Sequence, residues 1–217
     1  MTTTSSRSKR RQSTSRRRSS RSGSGMFLWI FLAILVVLFG VLAFISRSAG
    51  PAAEITDAAV SGDPLPALTT GDDPAVGSAA PQITGETIDG EPIEITPGDG
   101  TPKAISFLAH WCPHCQHEVP TVTQWVEDGQ LPEGVDLVAV ATGIDRNRPN
   151  FPPGDWLTRE AWPGDTVVDG DNAAAQAYGL STYPYWVLID GEGTVVQRWS
   201  GETTPQQLSE RIGQLTQ

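Results

Sequence analysis

Ala104-Ile105-Ser106-Phe107-Leu108-Ala109-His110-Trp111-Cys112-Pro113-His114-Cys115-Gln116-His117 joins a compact apolar run to a cluster of sulfur and imidazole side chains. Ala104 to Ala109 has the length and composition of a buried strand. Pro113 suits the first turn of a helix, which continues through Val122, Trp125 and Val126 towards Gly129. Both cysteines and all three histidines of the chain fall between His110 and His117. Cys112-Pro113-His114-Cys115 therefore sits where a strand ends and a helix begins. There, unpaired backbone N–H groups and the positive end of the helix dipole stabilise a thiolate at Cys112. Two intervening residues within one turn also bring the sulfurs close enough to bond.

Outward from this junction, strand and helix signals alternate. Thr87 to Ile95 carries Asp89-Gly90 between apolar alternations and predicts a short hairpin. Val135 to Ala141 predicts a second buried strand. Asn147 to Gly164 holds four prolines and reads mostly as loop, with a helical turn at Trp156 to Ala161. Thr166 to Val168 is a short extended segment. Asp171 or Asn172 caps a helix through Tyr178 that Gly179 closes. Tyr185 to Asp190 and Thr194 to Trp199 form two strands around Gly191-Glu192-Gly193. Thr204-Pro205 opens a last helix with Leu208, Ile212 and Leu215 on one face. The expectation is an α/β domain over 77–217.

The flanking sequence is of another kind. Residues 1–47 contain nine Lys or Arg and no acid, whereas 48–217 contain six basic residues and all 25 acidic ones, so the net −10 is +9 set against −19. So acidic a body repels phosphate backbones, and nucleic-acid binding is not expected. Residues 1–25 read as a disordered, basic cytoplasmic tail. Met26 to Ile45 is twenty residues without a charge, about 30 Å of helix, which matches a bilayer core. Residues 26–46 are therefore expected to be an uncleaved transmembrane signal-anchor. Basic residues before it place the N-terminus in the cytoplasm and the acidic portion outside the cell membrane. Residues 47–76, rich in Ala, Gly, Pro and Asp, read as a flexible extracytoplasmic linker.

Two cysteines are too few for a disulfide scaffold or a four-cysteine zinc site. Gln116 stands where covalent haem attachment requires histidine. A four-ligand zinc site drawn from this one short segment is strained. A copper site built from the two thiolates and His117 is chemically sound, so a metal-binding or delivery module stays open as a second reading beside thiol-disulfide exchange.

Phe107 to Cys115, Glu118-Val119-Pro120, and Tyr183-Pro184 ahead of a strand ending in Ile189-Asp190-Gly191 carry a family resemblance. Over Gly77 to Gln217 the sequence resembles the thioredoxin-like superfamily, in particular membrane-tethered thiol-disulfide oxidoreductases of the TlpA and ResA type. The CPHC motif is similar to that of the oxidising DsbA enzymes. Their large helical insertion has no room here. The resemblance implies a central mixed sheet flanked by helices and no cofactor beyond a redox-active Cys112–Cys115 disulfide. Partners would be protein thiol or disulfide substrates and a membrane redox partner, either a thiol relay or a quinone-linked oxidase. It further implies Cys112 as the exposed attacking thiolate and Cys115 as the buried resolving thiol. A protonated His114 close to the Cys112 sulfur would favour the thiolate and push towards oxidation. Glu118 matches the acidic residue thought to manage the proton of the resolving cysteine. Ser106 stands where thioredoxin has a buried aspartate. Pro184 would be cis, and Trp111, Pro113, Tyr183 and Pro184 would shape a substrate-facing surface. His110 and His117 read as surface residues.

Overall fold

A computed structural model describes residues 30–35, 37 and 55–216, in two units, Met1–Ala49 and Gly50–Gln217. In the first, residues 30–35 and 37 are helical and exposed. The rest of the expected anchor 26–46, the tail 1–25 and the start of the expected linker lie outside the described residues. No helix among the described residues is long and apolar enough to cross a membrane.

The second unit runs β1 (Ala59–Ser61), β2 (Gln82–Glu86), β3 (Pro92–Ile95), β4 (Lys103–Leu108), α1 (Pro113–Glu127), β5 (Asp136–Ala141), α2 (Pro153–Arg159), β6 (Asp165–Val168), α3 (Ala173–Ala177), β7 (Tyr185–Ile189), β8 (Val195–Ser200) and α4 (Pro205–Ile212), ending in a 3-10 turn, Gly213–Thr216. Strands β1, β2 and β3 make a small sheet, and the main sheet has the order β6-β5-β4-β7-β8. β4 pairs parallel with β5, as β5 does with β6, while β7 lies antiparallel to both β4 and β8. This is the mixed α/β sheet expected from the sequence.

All six residues of β4 are buried, as a central strand covered on both faces requires. Strand alternation sends Ile105 and Phe107 into one apolar layer with Val138, Val140, Val187 and Ile189. Ala104 goes to the other face with Val122, Trp125, Trp186, Leu188, Leu208 and Ile212, the residues by which α1 and α4 cover the sheet. A third cluster gathers Leu108, Cys112, Cys115, Val119 and Trp156 at the end of the sheet where β4 meets α1.

Two expectations change. The Pro-rich stretch is mostly loop as expected, but its helical turn is longer and starts earlier than Trp156, because Pro153 begins α2 and Trp156 and Leu157 are buried on it. The linker expected over 47–76 is folded from Ile55 onwards. β1 pairs with β2 in register Ala59 to Thr84, and Ala58, Leu65 and Ala75 enter the core. The polar composition masked this because these apolar residues follow no period and dock against loops and strand edges rather than forming a long element.

Candidate active site

Helix α1 starts without a side-chain cap. Cys112 is its N-cap, with φ −74 and ψ 120, and Pro113 fills the first turn. Nothing but Cys112 itself therefore competes for the free N–H groups at this helix end. Both sulfurs are free thiols. Cys115 is wholly buried and Cys112 is only 6% exposed, so the sulfur expected to be exposed is instead recessed among its neighbours. Its Sγ lies 4.0 Å from the carbonyl oxygen of Tyr183, and the Tyr183-Pro184 peptide is cis, as is Phe151-Pro152. Pro184 is buried, and its carbonyl accepts from the Gly201 N–H at 2.9 Å. Burial pushes the Cys115 thiol well above its ordinary value, with Cys112 and Glu118 adding to the shift.

Glu118 lies on the buried side of α1, 2% exposed. Its carboxylate accepts from the Trp186 indole N–H and, at 2.8 Å, from the Thr203 backbone N–H. Burial raises its pKa to about 7 against the pull of these two donors. The donors are themselves held in place. Trp186 stacks on Trp199 at 5.5 Å between ring centroids, and the Trp199 indole donates to Thr203 Oγ1 at 2.8 Å. Trp186 also stands opposite Ser106 in the β4–β7 register. An acidic group thus reaches the space beneath the cysteines from the helix, where Ser106 offers none from the strand. Neither Trp186 nor Thr203 was identifiable beforehand, and for Thr203 the useful group is a backbone N–H that side-chain identity does not encode.

His117 is exposed as expected, but His114 and His110 depart from expectation. His114 is exposed and its Nδ1 bonds the Glu202 carboxylate, with His117 Nδ1 at 3.7 Å from the same oxygen. The partner of His114 is therefore Glu202 rather than the Cys112 sulfur, and the His114 hydrogen bond holds the Glu202 carboxyl below its usual value. His110 is not a surface residue but fully buried. Its Nε2 accepts from the Asp145 N–H at 3.2 Å, so Nδ1 carries the proton and donates to the Pro149 carbonyl at 2.6 Å.

Trp111 is half-buried, its indole donating to Gly143 O at 2.7 Å and its ring edge-on to Tyr183 at 5.9 Å. Gly143 is required here: its φ is +62, and a Cβ would stand 2.5 Å from the Tyr183 hydroxyl. Pro113 is exposed. Among the described residues no group of three or more His, Cys, Asp or Glu is placed to hold a metal ion. A buried thiol next to a carboxyl that titrates near neutrality, beside a second thiol at a helix N-terminus, is an arrangement for moving protons during sulfur exchange.

Residues 76–198 match the AhpC/TSA family. Thiol-disulfide oxidoreductase ResA of Bacillus thuringiensis subsp. konkukian is 24% identical over 141 residues, 65% of this chain and 79% of the relative. Methylamine utilization protein MauD of Paracoccus denitrificans is 27% identical over 175 residues, 79% of this chain and 78% of the relative. Among solved structures, StoA from Bacillus subtilis superposes with a TM-score of 0.51 at 26% identity, covering 63% of this chain and 98% of StoA. With more than half of its length matched and a thioredoxin-like fold around its two cysteines, the chain belongs to the AhpC/TSA family and is a thiol-disulfide oxidoreductase.

Proposed function

We propose that this chain is a membrane-tethered, extracytoplasmic oxidoreductase that reduces disulfides in protein substrates through Cys112 and Cys115. The observation that carries the reading is the pairing of an uncapped helix N-terminus at Cys112 with the buried Cys115–Glu118 couple. The Cys112 thiolate attacks a substrate disulfide, bonding one substrate sulfur and releasing the other as thiolate. Cys115 then loses its proton, with Glu118 as acceptor, and attacks Cys112 Sγ. A Cys112–Cys115 disulfide forms and the second substrate thiolate departs, two electrons having passed to the substrate. Trp111, Pro113, Tyr183 and Pro184 line the approach to Cys112. Reduction is favoured because both features that pointed to oxidation are answered: the His114 imidazole bonds the Glu202 carboxylate rather than the Cys112 sulfur, and Glu118 supplies the buried acid that Ser106 does not. The uncharged stretch 26–45 supplies the anchor, and a thiol-relay partner in the membrane restores the dithiol. No diffusible cofactor enters the cycle.

In cells, the Cys115→Ser chain should accumulate substrate proteins disulfide-linked to Cys112 and released by dithiothreitol. A search that recovers no linked species removes the exchange mechanism. The reduction potential of the full chain tests direction separately: reduction requires a value near the roughly −270 mV of thioredoxin, and one near the roughly −120 mV of DsbA assigns oxidation instead.

A further inference from the structure

Beyond position 47 the chain has only six basic residues against 25 acidic ones. Three are engaged away from the cysteines. Lys103 is buried and bonds Asp99 and Asp136, Arg198 is buried against Asp73, and Arg211 lies over Trp199. The other three, Arg146, Arg148 and Arg159, all fall within fourteen residues of one another and are exposed. Arg159 pairs with Glu160 at 3.3 Å and donates to Asn150 at 2.9 Å. Arg146 and Arg148 make no ion pair among the described residues. Their guanidinium groups lie over aromatic rings, Arg146 at 5.5 Å from the Phe151 centroid and Arg148 at 4.4 Å from that of Trp111.

The loop bearing them is fastened to the active-site motif. The two ring nitrogens of His110 hold Asp145 and Pro149, the residues bracketing Arg146 to Arg148. The His110 carbonyl also accepts from Asn150 at 3.2 Å and from Gln116 at 3.0 Å. The acids of the same stretch are otherwise occupied or set apart: Asp145 accepts from Asn147 at 2.9 Å, Glu160 has Arg159, and Asp155 lies in the first turn of α2. Trp111, next to Cys112, meets Tyr183, whose carbonyl oxygen lies 4.0 Å from the Cys112 sulfur. A guanidinium held over an indole is positioned by the ring while its N–H groups can still meet a carboxylate in bidentate fashion.

Building on the reductase reading, we infer that Arg146 and Arg148 form the docking surface for substrate segments that carry acidic residues beside the disulfide. The protein as a whole repels such segments, yet at physiological ionic strength its distant charges are screened beyond about 8 Å. Two guanidinium groups in contact with the substrate are not. The acidic body then rejects acidic proteins in general, and the arginine loop admits those that present carboxylates next to the reacting sulfur.

The test uses the full-length reduced chain and three synthetic peptides with the same internal disulfide, flanked by two Glu, two Gln or two Lys. Second-order rates of disulfide reduction are measured at about 0.15 M salt, then at about 1 M, where the screening length falls to about 3 Å. The Glu peptide should react at least about tenfold faster than the Gln peptide, and the Lys peptide slowest. The preference should collapse at high salt. In Arg146→Glu/Arg148→Glu the order should invert in favour of the Lys peptide, a result that misfolding cannot produce. Equal rates for the three peptides, or a preference unchanged by the reversal, overturn the docking surface and leave the exchange reading standing. Failure to reduce any of the three removes the exchange reading and this inference with it.

Discussion

Glu118 is a carboxylic acid placed where ionisation is costly, and its two donors decide how costly. Burial drives its pKa to about 7 from an ordinary 4.5, while Trp186 and Thr203 pull the other way. The folded chain thus keeps a proton that the unfolded chain releases near pH 4.5. Between the two values the native state binds more protons, so stability falls as pH rises through that window. The penalty is about 3 kcal/mol once pH exceeds 7. Glu118→Gln removes it, so the variant should gain on the parent chain in denaturant midpoint between pH 5 and pH 8. A gap that does not change with pH denies the buried ionisation. The same substitution should slow resolution of the mixed disulfide at neutral pH, because Cys115 loses its proton acceptor. At this scale the sequence was legible where chemistry depends on residue type and spacing: the two cysteines, the cis proline at 184 and the acid at 118. It was not legible where contact is made across long separations. His114 was assigned to its neighbour Cys112 but meets Glu202, 88 residues away, and His110 adjoins the motif yet turns to a loop 35 to 40 residues on.

The segment from Thr142 to Arg159 shows how one buried imidazole organises an element. The Asn172 side chain accepts from Thr142 and Gly143 at its start, and His110 holds its middle. Burial keeps the His110 imidazole below its usual value, as the structure requires, since Nε2 must stay unprotonated to accept from Asp145. The native state therefore binds fewer protons than the unfolded chain just below pH 6.5, and stability falls as pH falls through that region. His110→Ala leaves the partly buried Asp145 N–H and Pro149 C=O without their partner, at a cost of about 1 kcal/mol. Amide exchange at Asp145 to Asn150, corrected for intrinsic rates, should quicken both in this variant and in the parent chain below pH 6. Equal protection in the two chains at neutral pH contradicts the clamp. The prolines that made this stretch read as loop have a second physical meaning. Proline breaks helices internally but fits their first turn, and Pro113, Pro153 and Pro205 each open a helix. Two of these starts stood beside clear apolar periodicity and were legible. The third opens only seven residues, too few for a period to emerge.

For the molecule as a whole, the decisive feature is the arm from Ile55 to Val76, of which only the last residue falls within the family match over 76–198. Its backbone is tied to the end of α3, with Leu65 N–H donating to Ala177 O at 2.7 Å and Leu68 N–H to Gly179 O at 3.3 Å. The approach is close enough that a Cβ on Gly179 would lie 2.4 Å from Pro66 O. Asp73 meets the buried guanidinium of Arg198 on β8, which also donates to Pro66 O at 2.9 Å, and this pairing holds the Asp73 carboxyl below its ordinary 3.8. Deleting the arm removes Asp73 and Pro66 O and leaves Arg198 only the Tyr178 carbonyl, and breaking one side of a buried ion pair costs about 3–5 kcal/mol. It also uncovers Ile83 and takes Leu65 from the core, worth about 2 kcal/mol more. These losses together approach the whole stability of an ordinary domain. A chain shortened to begin at Gly77 should therefore be largely unfolded or aggregated, whereas one beginning at Ile55 should unfold cooperatively in denaturant. Asp73→Asn in the full chain isolates the ion pair: its midpoint should drop at pH 7 and converge on that of the parent chain as pH falls through the Asp73 titration, where the parent also loses the charge. Cooperative unfolding of the Gly77 chain at the same midpoint would return the arm to the status of a tether.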